Sequence, residues 1–144
     1  MQISTGLRNH LLATGSLKAG LDGGVIRIYT GSAPADADAA VTGTLLCTVS
    51  LNDTGSGITL DTTPVDGVVS KNTSETWSGT PVATGVAGYW RFSATTDTGA
   101  LSTTEKRAQG TVGTVLADMI VASTTFTASV LRQIDNAAFG MPAG

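Results

Sequence analysis

A chain of 144 residues can bury about two thirds of its unfolded surface in one core without a metal or a disulfide. Only 13% of it is charged and its net charge is −3, so it carries no basic stripe to neutralise phosphates, which argues against nucleic acid as a direct partner. Threonine and valine are abundant while lysine, glutamate and glutamine are scarce, a bias toward sheet that predicts an all-β fold.

In chain order, the first prediction is a short helix. Ser4 or Thr5 is placed to cap it, and Ile3, Leu7, Leu11 and Leu12 fall on one side before Gly15, with Arg8 and Asn9 facing out. A second helical turn over 16–21 runs into Asp22-Gly23-Gly24, a turn signal. Residues 1–23 thus form a helical segment too short to stand alone, which must lie on the sheet or on a neighbour. Strands follow at 25–29 and 45–51, separated by an Ala/Asp/Pro-rich loop over 32–43. In the second strand Leu45, Cys47, Val49 and Leu51 share the apolar face, which makes Cys47 a small core thiol. Shorter strands are expected at 58–60, 68–70 and 75–79, broken by Gly, Pro and Asn.

The stretch Gly88-Tyr89-Trp90-Arg91-Phe92-Ser93-Ala94 holds three of the seven aromatic side chains. Strand alternation sends Trp90 and Phe92 one way, to anchor a core, and Tyr89, Arg91 and Ser93 the other. Beyond it, 100–110 with Glu105, Lys106 and Arg107 is the most charged window and reads as a solvated loop. Strands are expected at 109–115 and 118–121, and a last one over 124–132 with Phe126, Ala128 and Val130 inward. Short strands at this spacing are the pattern of a single β-sandwich or jelly-roll domain spanning 1–144, with a short N-terminal helix. The tail, 136–144, has no charged side chain and no regular pattern, and Phe139 and Met141 are its candidate contacts with the body or with a neighbouring subunit.

Catalytic chemistry has little to work with. His10 is the only histidine and has no cysteine or carboxylate at metal-ligand spacing. No Gly-x-Ser-x-Gly elbow and no phosphate-binding glycine loop occurs. Asp36, Asp38, Asp61 and Asp66 match no calcium loop and read as turn acids, and nothing brings Glu75 and Glu105 together as a hydrolytic pair. The expectation is therefore no enzyme, no cofactor and no metal. No apolar run approaches the roughly 20 residues of a membrane span, and the absence of a signal-like start predicts synthesis in the cytoplasm.

At Ser4-Thr5-Gly6-Leu7-Arg8-Asn9-His10-Leu11-Leu12, at Gly24-Val25-Ile26-Arg27-Ile28-Tyr29-Thr30-Gly31, and from Ser78-Gly79 through Gly88-Tyr89-Trp90-Arg91-Phe92, the chain resembles the small structural proteins of tailed bacteriophage virions. Within that group it is most similar to head decoration, or cement, proteins. The resemblance implies a jelly-roll-like dimer or trimer on the outer capsid surface, with the major capsid protein and other copies of itself as partners. Tail and tail-fibre proteins of similar size share these features, and a carbohydrate-binding β-sandwich is a third reading, which needs Trp77 and Tyr89 as an exposed platform.

Overall fold

A computed structural model describes residues 1–141 of the chain; the last three residues of the predicted tail, 142–144, lie outside the described residues. The fold is an all-β sandwich of unequal layers. Its large sheet runs in the order β1 (Gln2–Ile3), β7 (Ala108–Gly113), β6 (Gly85–Ala94), β2 (Gly24–Thr30), β3 (Leu45–Leu51), β5 (Trp77–Gly79), β10 (Arg132–Ile134). Two further short strands join it: β8 (Met119–Ile120) lies parallel to β7, and β9 (Thr125–Phe126) pairs with the start of β6. The second layer is a ribbon of β4 (Val68–Ser70) and β11 (Ala138–Gly140).

The aromatic strand β6 sits near the middle, and register explains its grip. Ile26 stands opposite Phe92 and Val49, and Ile28 opposite Trp90 and Cys47, so one face of three adjacent strands is apolar throughout. Phe139 of the ribbon lands on that face, its ring centroid 5.8 Å from both Trp90 and Phe92. Trp77 meets Phe92 edge-on at 6.4 Å. Three strand spacings separate β5 from β6, about 14 Å in a flat sheet, so the large sheet must curl to bring these rings together. Gly88 accommodates the close crossing at the far end of β6: a Cβ there would sit 1.8 Å from the carbonyl oxygen of Gly31.

The helices are α1 (Thr5–Ala13) and α2 (Leu17–Leu21), capped by Ser4 and Ser16. Leu7 reaches the core as its spacing predicts and Leu17 and Leu21 join it, but Leu12 is 84% exposed, because the buried stripe of so short a helix is narrower than its apolar sequence. Ser4 does more than cap. Its hydroxyl accepts from the amides of Leu7 (3.1 Å) and Arg107 (2.9 Å) and donates to the Glu105 carbonyl (2.7 Å), joining helix, β1 and β7 at a buried point. Ser4→Ala should therefore lower stability by about 1–3 kcal/mol, the combined effect of a lost cap and an orphaned buried amide, measurable as a shift of the urea midpoint.

Other expectations are corrected. Residues 58–60 form isolated bridges to Gly24 and Lys71 and not a strand. The run 124–132 is not one strand: only its last residue, Arg132, opens β10, and it is otherwise extended at Thr125–Phe126. The chain then turns at Ser129 (φ 67°), whose amide bonds to Pro81, leaving Ala128 and Val130 exposed. β10 and β11 lie in a stretch with no predicted strand beyond residue 132.

Candidate functional site

The second face of the large sheet, carrying Tyr89, Arg91 and Ser93, is buried as well. Its cover is the connection over 31–44. Tyr89 Oη donates to the Thr42 carbonyl (2.7 Å) and accepts from the Thr42 amide, and its ring stacks on Tyr29 at 5.0 Å. Arg91, 1% exposed, donates to the Gln109 side-chain oxygen and to the Ala39 carbonyl, while Gln109 donates to Gln2 and Pro34. Arg107 was expected in a solvated loop; it is 1% exposed and holds Asp97 with two 2.7 Å hydrogen bonds. Its remaining donors reach carbonyls of Ala37, Asp38 and Ala100. The loop thus closes over a polar layer because guanidinium groups supply donors for backbone carbonyls that no strand satisfies.

This layer is built for rigidity. Burial, then the neighbouring Arg107 charge, pushes the Arg91 guanidinium below its usual value, while Tyr89, Asp97 and Tyr29 oppose that shift. Burial pushes the Asp97 carboxyl up, but hydrogen bonds from Arg107, the Gly99 amide and Ser93 outweigh it and hold the group below the ordinary carboxylate value. Asp38 is lowered by the Thr5 hydroxyl it accepts from, with burial opposing. For Glu75 burial again raises, and Thr59 and the Trp77 indole N–H more than offset it. These acids hold turns and side chains in place. His10 packs between Gly15 and Gly20 in the helical corner. Among the described residues no three His, Cys, Asp or Glu side chains gather as a metal site.

Cys47 lies on the apolar face as its alternation predicts. Burial, with a smaller contribution from the Asp53 charge, pushes its thiol up to about 12. A thiolate is the reactive form, so the native protein should not react with Ellman's reagent at pH 8 and should release one equivalent of thionitrobenzoate once unfolded in urea.

The surface is polarised. β6 begins, β7 ends and β2 ends at one end of the large sheet, since Tyr89 faces both Thr111 and Tyr29. That end is assembled from 80–88, 113–117 and 119–131, which contain no charged residue. Seven large apolar side chains are exposed on these segments: Val82, Val86, Val115, Leu116, Ile120, Val130 and Leu131. Backbone hydrogen bonds from Val82 to Leu46 and from Ser129 to Pro81 draw the last group to the same end. Leu116 is 103% exposed and holds φ at 50°, a left-handed conformation that leucine adopts rarely. At the opposite end, Lys18, Asp22, Glu105 and Lys106 surround the helices and Ser4.

The two residues expected to make contacts from the tail part company. Phe139 is buried in the protein's own core, and Met141 is about half exposed beside Met1, Ile3 and Gly140. Trp77 and Tyr89 are both fully buried, so they form no surface platform for a sugar. The apolar end escaped the sequence reading; its available signal was the long absence of charge across 80–88 and 119–131. No protein-family model, curated protein or solved structure matches this chain.

Proposed function

We propose that this protein is a structural component of a tailed-phage virion, a decoration protein that binds the outer head shell and bridges major capsid subunits through its apolar end. The observation that carries the docking end is Leu116, an exposed leucine in a strained loop with no packing role inside its own chain. Strained conformations persist where surrounding structure or function holds them, and exposed apolar groups free of charge are what the centre of a protein interface requires. The resemblance noted in the helical start, the Gly-Gly strand and the aromatic strand supports the virion setting. A body rigidified on both faces of its sheet suits a part that bears load without changing shape.

Binding to an assembled lattice but not to dispersed subunits would stabilise the lattice by mass action. Each contact can then be weak, because it repeats over the shell. Quantitative mass spectrometry of purified particles tests the reading. Copies in the hundreds per particle support a head decoration protein, copies in the tens transfer the protein to the tail or its fibres, and absence from the particle overturns both.

A further inference from the structure

A cleft of about 560 Å³ opens between the β4–β11 ribbon and the segment around β8. Its walls are apolar at Met119, Ile120, Ala137 and Phe139 and polar at Ser70, Thr73 and Asn136, and Trp90 contributes to its lining. A second hollow of about 310 Å³ shares Met119, Ile120, Asp135 and Asn136 with it and extends toward Ile28 and Val49. Volumes of roughly 300–1,000 Å³ with mostly apolar walls are those of small-molecule sites. Trp90 is 2% exposed, and its indole N–H has no hydrogen-bond partner among the described residues. A buried donor left unsatisfied costs about 1–3 kcal/mol, whereas the other buried indole, Trp77, donates to Glu75 at 2.9 Å.

The charges lining the larger cleft are already engaged, while Arg132 in the second hollow has a buried Nε without a partner among the described residues. Lys71 donates to the carbonyls of Asn72 (3.1 Å) and Glu75, Asp118 accepts from the Met1 amine (2.6 Å), and Asp135 accepts from Gln133 (2.8 Å). Of the buried polar atoms in the cleft's lining, the one without a partner among the described residues is the Trp90 indole N–H. We infer that the cleft binds a neutral, compact molecule with an apolar body and one acceptor oxygen, which takes the Trp90 indole N–H. The indole nitrogen is covered in the closed arrangement, so entry requires β8 to yield; that strand is held to β7 by only two residue pairs.

The test uses acetophenone, ethylbenzene and benzoate as probes, followed by the indole N–H resonances in ¹⁵N-resolved NMR. Acetophenone is expected to move the Trp90 signal and leave Trp77 in place. Ethylbenzene, matched in shape but lacking the acceptor, should bind about fivefold more weakly, the effect of one hydrogen bond, and benzoate should not bind. Trp90→Phe should bring acetophenone down to the affinity of ethylbenzene. Ala138→Trp, at an exposed position on the rim, should abolish binding of both, and it keeps the test available if Trp90→Phe fails to fold. An unmoved Trp90 signal, equal binding of acetophenone and ethylbenzene, preference for benzoate, or binding that survives Ala138→Trp would each overturn the inference.

Discussion

Replacing Asp97 with asparagine is expected to destabilise the protein by about 3–5 kcal/mol, the usual result of removing one partner of a buried ion pair. The loss is large against the roughly 5–15 kcal/mol that holds a domain together. Arg107 would lose both charge-assisted contacts at 2.7 Å, and Arg91 nearby has no hydrogen-bonded carboxylate, so two buried guanidinium groups would share a layer with no buried counter-charge. The effect should carry a pH signature. The Asp97 carboxyl is held below its ordinary value of 3.8 in the folded protein. Its contribution is therefore fully present above that value and drains away as pH falls below it toward the folded pKa. Urea unfolding between pH 7 and pH 2.5 should show wild-type stability falling at the acid end, with the gap between wild type and Asp97→Asn narrowing there. A gap that is small at pH 7, or that stays constant on acidification, would show that the ion pair does not organise this layer.

Phe139→Ala should cost about 3–5 kcal/mol, although only five residues follow it in the sequence. Its ring lies between Trp90 and Phe92, and β11 has only three residues paired with β4 to recover the loss. Met141→Ala, two residues further on and half exposed, should stay within about 0.5 kcal/mol. Matched urea titrations of the two variants separate a tail that completes the core from one that merely follows it. Similar, small effects for both would mean that the ribbon is not a structural layer.

These outcomes bear on what could be read from residue order alone. β2, β3 and β6 were legible because β-branched and aromatic residues alternate there, and a cap at Ser4 or Thr5 with leucines at helical spacing marked the first helix. Alternation also assigned Tyr89, Arg91 and Ser93 to their own face. It could not say that this face is covered, because the cover is a loop of Ala, Asp and Pro whose attachment depends on hydrogen bonds between residues up to 75 positions apart. Arg107 was misread for the same reason: charge predicts solvent unless a distant carboxylate such as Asp97 is known to meet it. β10 and β11 carry no apolar alternation in their sequence; β11 is held over the core by the Phe139 ring against Trp90 and Phe92 of β6, and nothing local marks β10, which pairs with β5 through its backbone. The apolar end needed the strand register before its three uncharged segments could be placed together, and the unpartnered N–H of Trp90 has no counterpart in sequence.

The apolar end around Leu116 and Val86 is proposed as the place where a neighbouring shell protein takes hold, beside the flanking charges of Asp53 and Arg132. It is tested most directly by adding purified protein back to particles that lack it, comparing wild type with the Val86→Asp, Leu116→Asp double variant. Both positions are exposed, so the variant should fold with an unchanged urea midpoint. Wild type is expected to re-occupy the particles and raise their resistance to heat while the variant stays in solution. A variant that binds and protects as wild type does would contradict it.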